Sequence, residues 1–91
     1  MRRTRLESSV EGECCRIARR AGFIPIKLYG AGLPDRLFVC PIRSVYIEFK
    51  RPKKGTLRMK QRTVHKKFLA LGHVVYTVTS ITQFKKILLL P

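Results

Sequence analysis

Negative charge is what this sequence has least of. Five Asp and Glu stand against twenty Lys and Arg in 91 residues, a net charge of +15. Self-repulsion of that size works against a compact chain, so the excess implies a polyanionic partner, and nucleic acid is the first candidate. Tryptophan is absent and there are two histidines, His65 and His73, with no cysteine near either. They read as surface or DNA-facing residues rather than metal ligands. The three cysteines, Cys14, Cys15 and Cys40, are odd in number and lack zinc-ligand spacing. That excludes a complete disulfide framework and fits free thiols in a reducing cytosol. No apolar run approaches the about 20 residues that cross a bilayer, so no membrane partner is expected. Arg2, Arg3 and Arg5 are followed by Glu7, Glu11 and Glu13 rather than by an apolar stretch, which argues against a signal peptide. The expected location is cytoplasmic, that of the host cell if a phage encodes the chain. Repeats and linkers are lacking too, and the length suits one domain over residues 1–91.

What is present is a regular alternation of patterns. Leu6, Val10, Cys14, Ile17 and Ala21 recur at helical spacing, and Gly22 can stop that helix. Residues 23–29 form a short apolar run interrupted by Pro25, which places it at a sheet edge or a bulge. Residues 30–34 read as a loop, 36–40 as a strand, 41–44 as a turn and 45–50 as a second strand. In that strand Val45, Ile47 and Phe49 point one way and Tyr46, Glu48 and Lys50 the other. A basic loop over 51–55 precedes a helix that Thr56 can cap and Gly72 can stop, with Leu57, Val64, Phe68 and Leu71 on its apolar face. A strand over 73–78 and a short helix over 81–89 follow, the latter with Ser80 or Thr82 near its start. The order α-β-β-β-α-β-α predicts an α/β fold around a mixed sheet flanked by helices.

Carboxylates near a bound polyanion oppose its binding, so acids on that side need another reason, and a divalent cation is the best one. Counting outward from the turn brings Asp35 opposite a residue between Glu48 and Lys50. Facing residues of an antiparallel pair have Cβ atoms roughly 4.5–5.5 Å apart, close enough for two carboxylates to cradle a hard cation. The Phe49 carbonyl can supply a further oxygen. Lys50 projects from the same face as Glu48 and can hold an attacking hydroxide or the charge that develops on phosphorus. A surface Glu–Lys pair beside an unrelated turn aspartate would show the same spacing. Gln61 falls amid Leu57, Val64 and Phe68, where a polar amide needs a partner: a phosphate, a water or a catalytic carboxylate. Arg51, Lys53, Lys54, Arg58 and Lys60 follow the strand directly and can clamp flanking phosphates without reading sequence. The site as a whole is expected to be wet.

Gly32-Leu33-Pro34-Asp35-Arg36, then Ile47-Glu48-Phe49-Lys50, then Gln61 on the next helix, together resemble the VRR-NUC nucleases. These are the virus-type replication-repair branch of the PD-(D/E)XK superfamily, and the resemblance covers residues 6–80. It implies a restriction-endonuclease-like α-β-β-β-α-β core and a magnesium- or manganese-dependent endonuclease of stand-alone phage or bacterial type. It also implies a glutamate on the first helix. Counted back from Gly22, the family register points to Glu11 as third metal ligand, with Glu7 as substitute. Glu7 and Glu11 share one flank of the apolar stripe and Glu13 lies on the other. Stand-alone members look like Holliday-junction resolvases, so branched DNA, a four-way junction, is the expected substrate. A homodimer is the expected assembly. A thin core, the apolar end Ile87-Leu88-Leu89-Leu90, and Cys15 and Ala18 outside the main stripe all offer contact surface, although the leucines can equally cover their own sheet. The alternative from another class is a catalytically silent basic DNA- or RNA-binding module, which would have no use for clustered carboxylates.

Overall fold

Glycine closes the first helix: α1 (Arg5–Arg20) runs into Gly22, which takes φ +91°, a conformation that other residues avoid. The computed structural model describes residues 5–51 and 57–89, with α1 side chains from Ser9 onward. After α1 come β1 (Ile24–Lys27), β2 (Arg36–Cys40), β3 (Arg43–Phe49), α2 (Met59–Ala70), β4 (Val75–Val78) and α3 (Ile81–Leu88). This is the expected order. No helix among the described residues is long and apolar enough to cross a membrane.

The four strands lie in sequence order, so β1 and β4 are the edges. Pro25, which has no N–H to donate, sits in an edge strand as its chemistry requires. The pairs β1–β2 and β2–β3 are antiparallel, whereas β3–β4 is parallel and bridged by α2. The β2–β3 hairpin closes at Cys40↔Arg43, leaving Pro41 and Ile42 as its turn. The turn is shorter than the sequence predicts, and β3 starts two residues earlier than Val45.

The pleat divides the helices between two faces. Val45, Ile47 and Phe49 enter the core with Phe38, Val78, Phe84 and the α1 residues Cys14, Cys15 and Ala18. Phe84 of α3 lies against Phe38 and Phe49, with ring centroids 5.0 and 6.5 Å away. Arg43 donates to the Ile87 and Leu88 carbonyls at 3.3 Å, tying the last turn of α3 to the sheet. On the opposite face Tyr46 meets Phe68 of α2 edge-on at 4.9 Å. α1 and α3 thus cover one side of the sheet and α2 the other.

Several expectations change. Cys15 and Ala18 are buried in this chain's own core, so they offer no second contact surface. The true stripe of α1 is wider than the periodicity of Leu6, Val10 and Ile17 conveys. Leu71 is 78% exposed and lies beyond α2, because the helix ends one residue earlier. Arg58, not Thr56, stands at the N-cap of α2, and Thr56 lies outside the described residues. Gln61 completes that cap, its Oε1 accepting the Arg58 N–H at 3.0 Å.

The loop before β2 is pinned by Gly32. It takes φ +80°, and a Cβ there would stand 2.8 Å from Val64 Cγ2 and 2.9 Å from the Lys60 carbonyl oxygen. Only glycine lets the loop lie directly on α2. Gly32→Ala is expected to lower unfolding free energy by about 2–4 kcal/mol, from the strained φ and the backbone clash together. Urea denaturation measures this, and a loss below about 0.5 kcal/mol would show that the close approach carries no weight.

Candidate active site

The hairpin register determines which side chains meet. Arg36 faces Ile47 in the last ladder pair, so the next step sets Asp35 opposite Glu48. Asp35 is anchored there: its Oδ2 accepts the Phe49 N–H at 2.8 Å. The Lys50 N–H turns the other way, to the Val78 carbonyl on β4. Backbone groups alternate along a strand, so the Phe49 carbonyl shares the edge of its own N–H, beside Asp35. The buried Phe49 ring holds that backbone in place from the core side.

Glu48 is 2% exposed, far from the wet position expected of it, because α2 lies over its strand. Gln61 Nε2 donates to its Oε2 at 2.7 Å, and Lys50 Nζ stands 3.8 Å from the same oxygen. Its Oε1 is buried with no hydrogen-bond partner. Burial, and then the neighbouring Asp35 charge, push the Glu48 carboxyl up to about 7 against the opposing pull of Lys50 and Gln61. Burial raises Asp35 as well, and the Phe49 N–H offsets part of that rise.

Asp35, Glu48, Phe49, Lys50, Arg58 and Gln61 line one open recess of about 440 Å³, joined by Glu11 and Lys27. At about 30 Å³ per water, it has room for a hydrated cation beside a phosphate. Glu11 reaches the recess with its charge already compensated. Its Oε2 accepts from Arg36 Nε at 2.7 Å and Lys27 Nζ at 3.2 Å. Burial acts to raise the Glu11 carboxyl, but these two cations outweigh it and hold the group below its usual range. Glu13 pairs instead with Arg16 on the outer flank of α1. The side chain of Glu7, and Lys53 and Lys54 entirely, lie outside the described residues. Arg51 borders the end of β3 and Lys60 lies exposed on the first turn of α2.

Two residues of the site escaped the sequence reading. Lys27 faces Arg36 across the β1–β2 ladder, a partnership visible only once that register is known. His65 is not a surface residue: its Nε2 is buried, 4.0 Å from Glu48 Oε1. The signal for it was available, since His65 lies one helical turn after Gln61 and so on the same face.

Among the described residues, no three His, Cys, Asp or Glu side chains gather closely enough to enclose a metal by themselves. Two carboxylates and a carbonyl do converge, and one buried carboxylate oxygen lacks a partner. Such an all-oxygen set, short of a full shell, suits Mg²⁺ or Mn²⁺, which keep several waters and take one or two carboxylates from the protein.

No family profile matches the sequence, and no curated protein matches it. The fold does have a counterpart among solved structures. A structure described as a VRR_NUC domain superposes with a TM-score of 0.82 at 26% identity, over 90% of this chain and 92% of that one. The chain folds as a VRR-NUC-like domain. Its α-β-β-β-α-β core is restriction-endonuclease-like, and the terminal α3 packs beside α1.

The buried Glu48 makes a pH-dependent demand on the metal-free VRR-NUC-like fold. A carboxyl raised in the folded state contributes stability below its unfolded value, near 4.3, and loses it as pH rises through about 7. In chelator, Glu48→Gln is therefore expected to exceed the parent in stability by about 3 kcal/mol at pH 8 and to match it near pH 4. Denaturation at the two pH values checks this; equal stability at pH 8 would show that Glu48 carries its charge there without cost.

Proposed function

We propose that this VRR-NUC-like domain is a nuclease that hydrolyses DNA phosphodiester bonds with Mg²⁺ or Mn²⁺. The observation that carries the reading is the meeting of Asp35, Glu48 and Lys50 in one recess of a chain whose net charge is +15. A module that only bound nucleic acid would gain by replacing a buried carboxylate with an apolar group.

Asp35, Glu48 and the Phe49 carbonyl are the groups that would hold the cation. Bound there, it supplies Lewis acidity at a phosphoryl oxygen and a potent nucleophile at neutral pH. The protein does the remaining work. The Phe49 N–H and Gln61 fix the two carboxylates before substrate arrives, so orientation is not charged to the reaction step. The Lys50 ammonium faces the charge that develops on phosphorus. Arg58 and Lys27, at the recess, take the adjoining phosphate oxygens, and Arg51, Lys53, Lys54 and Lys60 track the backbone further out. Glu11 is the third candidate ligand: it becomes available by giving up Arg36 and Lys27, both of which a phosphate can take.

The finer reading is a structure-specific endonuclease acting on branched DNA, a four-way junction, as a homodimer. Apolar surface left wet supports assembly: Ile24 on β1 is 65% exposed and Leu89 after α3 is 84% exposed. A two-fold dimer would cover such surface and present two related recesses to strands of like polarity.

Incubation with junction, flap, duplex and single-stranded DNA, with metal and with chelator, tests the activity. Cutting is expected only with metal and best on the junction. Asp35→Asn, Glu48→Gln and Lys50→Ala are each expected to lower kcat at least about a hundredfold; undiminished cutting by Glu48→Gln would end the reading. Neutralising Arg58, Lys53 and Lys54 is expected to weaken binding to all sequences alike. Each lost phosphate contact should flatten the log–log salt slope by about 0.9. An effect confined to one sequence would mean that these residues read bases. Light scattering without DNA is expected to give the mass of two chains; one chain, with single nicks on junctions, would leave a monomeric nuclease.

A further inference from the structure

Among the described residues, two buried side-chain polar atoms lack a hydrogen-bond partner, Glu48 Oε1 and His65 Nε2. They face each other across 4.0 Å. Leaving a buried carboxylate oxygen and a buried imidazole nitrogen unjoined costs free energy that neither recovers alone. The gap is too long for a direct hydrogen bond, yet a small rotation or one bridging water closes it. The helix explains why they meet. His65 follows Gln61 by one turn, and Gln61 already donates to the other oxygen of Glu48. His65 also borders a shallow groove together with Leu69, Val74 and Val75.

We propose that His65 is a positioning residue for Glu48: its Nε2–H holds Oε1, directly or through one water, while Gln61 holds Oε2. The carboxylate's orientation toward a cation is then set from α2 rather than by its own strand. The inference rests on the cation reading above. Support of this kind for a metal-binding carboxylate is expected to be worth 10–100-fold in metal affinity.

The test is Mn²⁺ affinity without DNA, by electron paramagnetic resonance, together with kcat, KM and thermal unfolding. His65→Leu removes the donor, His65→Asn keeps polarity but loses reach, and His65→Gln keeps an N–H near the place of Nε2. Leu and Asn are expected to weaken Mn²⁺ binding about tenfold or more and to lower kcat with little change in KM. Gln is expected to stay within about threefold of the parent. If Leu does not fold, Asn against Gln makes the same comparison. Equal weakening by Asn and Gln would reduce His65 to a packing role. Mn²⁺ binding that Glu48→Gln abolishes and the His65 variants leave intact would overturn this proposal alone. A parent protein that binds no Mn²⁺ would overturn the cation reading with it.

Discussion

A carboxylate buried at the end of a sheet strand is expensive, and the arrangement around Glu48 is best understood as the means of tolerating it. Burial and the neighbouring Asp35 both oppose its charge. Against them the fold sets an amide on one oxygen and a lysine ammonium 3.8 Å from that same oxygen. Neither reaches the other oxygen, which is left buried and without a partner. A structural role alone would not maintain such a group, since a glutamine or an apolar residue would sit there at lower cost. The arrangement is intelligible if Glu48 serves the cation site proposed for this recess, with His65 the nearest side chain to its unpartnered oxygen.

That one constraint organises elements distant in sequence. The hairpin brings Asp35 to Glu48, and its two-residue turn leaves no slack in the register. A slip of one residue would send Glu48 into the face occupied by Val45 and Phe49. α2 must lie over the other face, and Gly32 lets the loop before β2 touch it at backbone distance. The helix itself buries no residue completely, so apolar packing alone holds it weakly. Its polar contacts to Glu48 and its close approach to the Gly32 loop are therefore a larger share of what locates it than is usual for a crossover helix. Stability of the fold and preorganisation of the site are the same contacts here.

The elements were legible because each carries a local signal. Pro25 marked an edge strand, Gly22 and Gly72 ended helices, and alternation in β3 divided core from site. The meeting of Asp35 with Glu48 was legible to within a residue, because counting from a hairpin's turn sets its register, although the turn has two residues rather than four. What the sequence did not disclose depends on contacts between elements with no such rule. Cys15 and Ala18 read as off-stripe until α3 is placed beside α1. Glu48 read as wet because nothing local says that α2 will cover it. The engagement of Glu11 by Arg36 and Lys27 required three elements at once: α1, β1 and β2.

The placement of the acids also separates a binder from a catalyst. A chain of +15 could lower its self-repulsion by spreading its five carboxylates among the lysines and arginines. Glu13 does this, pairing with Arg16 on the surface. Glu11 is also paired, with Arg36 and Lys27, but it is gathered with Asp35 and Glu48 in one recess that Lys27, Lys50 and Arg58 also line. Juxtaposed signs of this kind leave the recess unsuited to a bare phosphate and unsuited to a bare cation. Together they would suit both at once, carboxylates for a cation and basic groups for a phosphate. Electrostatic complementarity would then be satisfied only with both partners present, as the proposed hydrolysis requires.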